Sequence, residues 1–298
     1  MLSASYYWPI EDSYHPLNKR WNGCSEIASA TKNTTLLLSY GKELPKNWTL
    51  AIIGPSLPFS ASDGRIIRKY LEENGTVLLA DDFGSGNSLL EELNVSVRFA
   101  GKPLADIYAY SRNPNFPLVS GFFPSPLSDS VSVVILDHPS FLQIGDPSQA
   151  TVLASSSPFS FIDVQGSGKP AQNESVDSYP VMAYTHVGSG SLVLVADSGM
   201  FINEMIGLYD NMRLFENVVR AGGGYLILDV AHLANAPLTN TRLTVKNTVD
   251  GLIRFAQASI YVQALLVLLV LIVSLPLQLL RRAKRRKVTV TLYTSGRG

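Results

Sequence analysis

From Ile260 to Leu280 the chain reads IYVQALLVLLVLIVSLPLQLL, twenty-one consecutive residues without a charge. At ~1.5 Å rise per residue a helix of this run extends roughly 30 Å, the thickness of a bilayer's hydrocarbon core. Helices buried in globular cores rarely run so long without a polar face. The stretch therefore reads as a transmembrane helix. Pro276 falls in its last turns, where a kink is tolerated in lipid, and Tyr261 stands as an interfacial anchor at the other end. RRAKRRK follows directly, and an excess of Lys and Arg marks the cytoplasmic flank. Residues 281–298 are expected in the cytoplasm and residues 1–257 outside it.

The charges are segregated in the same sense. The net charge is zero, but residues 281–298 hold seven of the 24 basic residues and no acid lies beyond Asp250. Residues 1–257 thus carry 17 basic against 24 acidic residues, a net of −7. An acidic body on a basic tail argues against nucleic acid as a partner and leaves the lipid bilayer as the expected one. The one cysteine, Cys24, excludes an intrachain disulfide framework and a cysteine-rich metal site. Asn-x-Ser/Thr sequons at Asn33, Asn47, Asn74, Asn94 and Asn173 agree with an outside location. Residues 1–19 have no basic start followed by an apolar core, so an export signal or anchor upstream of Met1 is expected, the alternative being a cytosolic body with the tail inverted.

In the body, apolar runs alternate with helical periods. Thr49–Ile53 and Thr76–Ala80 read as buried strands, and strands also fit Val131–Leu136 and Thr151–Ala154. Between the first two, Phe59 and the hydroxyls of Ser60 and Ser62 supply a staple and a cap. Ile66, Ile67, Tyr70 and Leu71 then share one helical face before Gly75. Helices are expected over Ser25–Tyr40, Ser88–Leu93 and Asn211–Ala221, and another from about Asn247 into the bilayer. Val187-Gly188-Ser189-Gly190 marks a hairpin, and YLILD a last strand. The pattern is that of an α/β fold with a mainly parallel sheet covered on both faces. It divides into an aromatic and polar lid (1–45), an α/β domain (46–224), a last strand with connector (225–257), the membrane helix (258–280) and the basic tail (281–298).

Chemistry is expected where strands end, because open parallel sheets bind ligands outside their carboxyl edge. Gly54-Pro55-Ser56, Asp81–Asn87, Asp137-His138 and Asp197-Ser198 each follow a strand. The candidate ligand-binding residues are Asp81, Asp82, Gly84, Ser85, Gly86, Asn87, Asp137, Asp197 and Ser198. The same residues also read as helix caps and turns, with the glycines meeting backbone demands. No nucleophile elbow, Walker A sequence or metal-ligand spacing is present, so no catalytic residue, metal or cofactor is assigned.

Three stretches, HPLNKRWNGCSEI (His15–Ile27), LLADDFGSGNSLL (Leu78–Leu90) and VLVADSGMFINEMIGLYDNMRLFENVV (Val193–Val219), resemble a membrane-associated family of archaea and bacteria known as domain of unknown function 4350. The resemblance implies a flavodoxin-type, glutamine-amidotransferase-like fold. Amidotransferase chemistry needs a cysteine on a strand-to-helix turn, and Cys24 lies before the first strand. The expected function is a membrane-anchored, non-catalytic binding or assembly module that works through a partner protein or a small polar ligand. The alternatives are an accessory subunit of a transporter or envelope complex, and a degenerate hydrolase or metal-dependent enzyme at the strand-end cleft.

Overall fold

The computed structural model describes residues 9–272, apart from 32, 42, 172–174, 260, 262 and 266. The chain divides between Asn240 and Thr241 into two units.

The unit ending at Asn240 is built on a seven-stranded sheet. In chain order its strands are β1 (Thr34–Leu37), β2 (Thr49–Ile53), β3 (Thr76–Ala80), β9 (Ala150–Ser155), β11 (Pro180–Val187), β12 (Gly190–Val195) and β13 (Leu226–Asp229). Their spatial order is β1-β13-β2-β3-β12-β11-β9. The first five in that order are mutually parallel, and β11 and β9 add antiparallel at one side. β2 and β3 are buried at every position, as strands covered on both faces must be. Their side chains alternate between two cores. Ala51, Ile53, Leu78, Ala80, Val193 and Val195 meet Leu214, Phe215 and Val218 of helix α5 (Asn211–Ala221). Leu50, Ile52, Val77, Leu79 and Leu192 meet α2 (Ala61–Glu72) and α3 (Gly86–Glu92) through Ile67, Leu71, Leu89 and Leu90.

Local signals set these helices. Ser60 caps α2 in a capping box with Asp63, and α5 ends at Gly222. A short α1 (Ser25–Ser29) meets α4 (Asn203–Ile206), where the Glu26 amide donates to the Asn203 side chain.

Several expected elements differ. The helix over Ser25–Tyr40 stops at Ser29, because Thr34–Leu37 pairs with β13 as the edge strand. β7 (Val133–Ile135) is not in the central sheet; it pairs antiparallel with β6 (Leu118–Ser120). Two further small ladders join β4 (Val97–Phe99) to β8 (Leu142–Ile144) and β5 (Leu104–Asp106) to β10 (Ser160–Ile162). Residues 100–130 thus contribute β5 and β6 to these small ladders. The last helix, α6 (Ala236–Ala258), starts well before Asn247, with Pro237 in its first turn, where a missing N–H costs nothing. Among the described residues no helix is long and apolar enough to cross a membrane. Of the Ile260–Leu280 run, positions 260, 262, 266 and 273–280 lie outside the described residues, as does the basic tail.

Candidate functional site

β2, β3 and β12 end side by side, with Ile53, Ala80 and Val195 in register. The loops that follow them therefore meet at one edge. Asp81 is almost fully buried and turns its carboxylate back on its own loop. Oδ1 accepts from the amides of Asp82 and Gly84, both at 2.9 Å, and Oδ2 from Gly86 at 2.7 Å. Those bonds require the backbone to come close. A Cβ on Gly84 would stand 2.3 Å from Pro55 O, and one on Gly86 2.7 Å from Asp81 Oδ2. Ser85 donates from its Oγ to Ser56 O, and Asn87 brackets Phe99 by exchanging two bonds of 2.9 Å with its backbone. Asp81, Gly84, Ser85, Gly86 and Asn87 are thus occupied in shaping the turn.

Asp82 faces the other way. Its Oδ2 lies 3.1 Å from Ser198 Oγ, which is also 3.1 Å from Tyr14 Oη. Behind it, fully buried Asp197 accepts from the Asp137 amide at 2.6 Å. Although β7 lies outside the sheet, this bond brings Asp137 and His138 to the same edge, with His138 Nδ1 2.6 Å from Asp137 Oδ1. Burial raises the Asp81 carboxyl to about 6 against the pull of the Gly86 and Gly84 amides. Asp82 is raised by burial as well, and Asp197 lies well above the usual carboxylate range because it is buried and faces Asp82.

These groups border a cleft of about 480 Å³. Asp82 and Asp137 line it, while Asp197 and Ser198 support them from behind. Its other walls come from segments far apart in the chain: Tyr14 and Trp21, Phe83, Arg112 and Phe116, His138, and Glu204. Arg112 pairs with Glu204 at 3.2 Å and lies 5.5 Å from the Phe116 ring centre; His138 meets the same ring edge-on. Trp21 is 64% and Phe83 50% exposed. Tyr14, Arg112 and His138 have φ of 60°, 46° and 54°, a left-handed backbone that costs energy for such residues. Arg112, Phe116 and Glu204 were not among the residues expected from the sequence, whereas His138 stood in one of the strand-end loops. Only the aromatic character of the amino-terminal segment hinted at Trp21.

Among the described residues no group of three or more His, Cys, Asp or Glu is arranged to hold a metal ion. Cys24 is buried, with its thiol 3.5 Å from Phe201 O and its ionisation pushed up by burial. His232 bonds Asp229 at 2.8 Å and stacks on Phe59 at 3.7 Å, while its carbonyl accepts the Ser56 and Leu57 amides. That arrangement latches the loop after β2.

The family model for a domain of unknown function, DUF4350, matches residues 16–219. The chain belongs to this family. No curated protein matches it. Among solved structures it is similar to the mmIFT52 N-terminal domain, at 19% identity and a TM-score of 0.46 over 58% of this chain and 76% of that one. It is also similar to a β-galactosidase from Bacillus circulans sp. alkalophilus, at 12% identity and a TM-score of 0.36, covering 60% of this chain and 23% of that one. A cytoplasmic protein of Salmonella typhimurium LT2 matches at 14% identity and a TM-score of 0.35, over 53% and 60% of the two chains.

Within the DUF4350 region the polar residues of Val193–Val219 act as staples. Asn203 donates to Asn18 O and Arg20 O and accepts from the Glu26 amide, pinning the amino-terminal segment beside the sheet. Asp210 accepts the Ser132 and Val133 amides. Asn211, fully buried, accepts from Ile135 N–H at 3.0 Å and donates to the carbonyls of Ile135 and Met205. These side chains hold the amino-terminal segment and β7, beside which Trp21, Asp137 and His138 line the cleft.

Proposed function

We propose that this DUF4350 protein is a membrane-anchored, non-catalytic extracytoplasmic module that binds a partner protein through the strand-end cleft. One observation carries the reading: the exposed rings of Trp21 and Phe83 stand beside the carboxylates of Asp82 and Asp137 on the walls of one cleft, where Glu204 is already paired with Arg112. An aromatic surface next to acids fits a lysine or arginine side chain, whose stem packs on the ring while its charge meets the carboxylates. Backbone strain at Tyr14, Arg112 and His138 supports a site held ready for a ligand.

The uncharged run Ile260–Leu280 and the basic cluster behind it support the anchor and its orientation. A parallel core flanked by antiparallel β11 and β9 supports the amidotransferase-like reading of the fold. The buried, carbonyl-facing Cys24 and the structural duty of Ser85 support a binding role over nucleophilic catalysis.

The test compares full-length wild-type, Trp21→Ala, Asp137→Asn and Tyr108→Ala proteins isolated from membranes in detergent. Tyr108 is 77% exposed and does not line the cleft. The partner recovered with the wild type is expected to fall about tenfold or more with the two cleft variants, the size of a lost interface anchor. It should persist with Tyr108→Ala. Undiminished recovery with Trp21→Ala contradicts the reading.

A further inference from the structure

Of the five sequons, Asn33, Asn47, Asn74 and Asn94 lie among the described residues, and all four are exposed. Three of them share one rim of the sheet. Asn33 stands one residue before β1, Asn47 two before β2, and Asn74 two before β3. Thr34, Leu226, Thr49 and Thr76 are register partners across β1, β13, β2 and β3. The three asparagines therefore stand just ahead of a single cross-strand row, at the opposite end of the strands from the cleft. Asn94 lies elsewhere, just past α3, where Arg68 of α2 donates to Glu92 O. None of the four lines the cleft.

Asn47 and Asn74 have φ of 59° and 68°, which asparagine tolerates better than most residues. Glycine or aspartate would serve such turns as well, so the turn alone does not select the triplet. Asn33 has no positive φ, and the hydroxyl residue of its sequon, Thr35, is exposed.

We propose that the rim formed by Asn33, Asn47 and Asn74 carries N-linked glycans, an inference that rests on the head lying outside the cytoplasm. The donor is a lipid-linked oligosaccharide, its sugar held through phosphate. Asparagine Nδ2 bonds to the anomeric carbon as the carbon–oxygen bond to phosphate breaks. The lipid phosphate leaves with the electron pair, and Nδ2 gives up one proton. Thr49 is fully buried and Thr76 nearly so, which hides the hydroxyls of two sequons once the sheet has closed. Transfer to Asn47 and Asn74 therefore precedes folding, whereas the Asn33 sequon stays open afterwards. The glycans cover the strand-start rim and leave the cleft at the far edge bare for its partner.

The experiment is peptide mass mapping of the full-length protein taken from the membranes of its own cells. Peptides containing Asn33, Asn47 and Asn74 are expected to carry added sugar mass. Single Asn→Asp variants, which keep the left-handed turn, should lose it one site at a time. In the same cells a Lys102→Cys variant treated with a membrane-impermeant maleimide reports where the head lies, since Lys102 is exposed and Cys24 is buried. A labelled head with bare Asn47 and Asn74 overturns the glycan proposal and leaves the orientation standing. An unlabelled head with bare asparagines overturns the orientation, and the glycan proposal with it.

Discussion

Asn211→Ala is expected to destabilise the head by about 3 kcal/mol, read from urea unfolding of the full-length protein in detergent. Asn211 Oδ1 and Nδ2 bond the N–H and C=O of Ile135 and reach Met205 O, all in a fully buried setting. Alanine leaves those backbone groups without partners and out of reach of water. That costs more than the net worth of the bonds themselves. Asp210→Ala removes two bonds to the neighbouring amides of Ser132 and Val133, but at a surface site where water can replace them. Its expected cost is about 1 kcal/mol. Equal losses from the two variants would mean that Asn211 is not the staple holding β7 against the sheet.

Replacing His15 with asparagine is expected to reshape the stability–pH curve in the acid range. Burial lowers the His15 pKa to about 4. Its Nδ1 accepts the Leu17 amide at 3.0 Å, a role that protonation would end. The folded state thus holds this proton less tightly than the unfolded chain does. The stabilisation is whole above pH 6.5 and is lost as pH falls through about 4, roughly 3 kcal/mol in all. Asp81 acts in the opposite sense. With its folded value raised to about 6, its contribution is whole below 3.8 and is lost as pH rises through 6, again by roughly 3 kcal/mol. Between pH 4 and 6.5 the two nearly cancel in the wild type. In His15→Asn the amide oxygen of the new side chain keeps the Leu17 bond, and the histidine contribution vanishes. The unfolding free energy of the variant relative to wild type should therefore rise by roughly 3 kcal/mol between pH 6.5 and 4, in urea titrations at fixed ionic strength. A pH-independent difference would contradict this account of His15.

The parts of the fold that the sequence announced are those set by local physics. β2 and β3 are short apolar runs bounded by turn residues; α2 carries its capping box; α5 has an apolar stripe and a glycine stop. What it did not announce depends on distant pairing. Thr34–Leu37 becomes a strand because β13 lies ready to pair with it, and Val133–Ile135 pairs with β6 outside the sheet while Asp210 and Asn211 accept its Val133 and Ile135 amides. The same division runs through the site. The strand-end rule located the edge, and Asp82 and Asp137 do line the cleft. The Asp-Asp-Phe-Gly-Ser-Gly-Asn loop is itself a turn, closed by Asp81 on the amides of Asp82, Gly84 and Gly86. Arg112 and Glu204 were not legible, and Trp21 only as part of an aromatic segment, because no spacing links them. They meet only after Asn203 and Asp197 have tied their segments to the sheet.

The most direct measurement is photocrosslinking in intact membranes, with p-benzoylphenylalanine substituted at Phe83 in one variant and at Tyr108 in another. Phe83 stands on the cleft and Tyr108, more exposed, away from it. Irradiation is expected to join a partner protein to the Phe83 variant as a discrete adduct and leave the Tyr108 variant free. Adducts from Tyr108 with none from Phe83 would show that the head meets its partner through another surface, and the cleft would lose its assigned role.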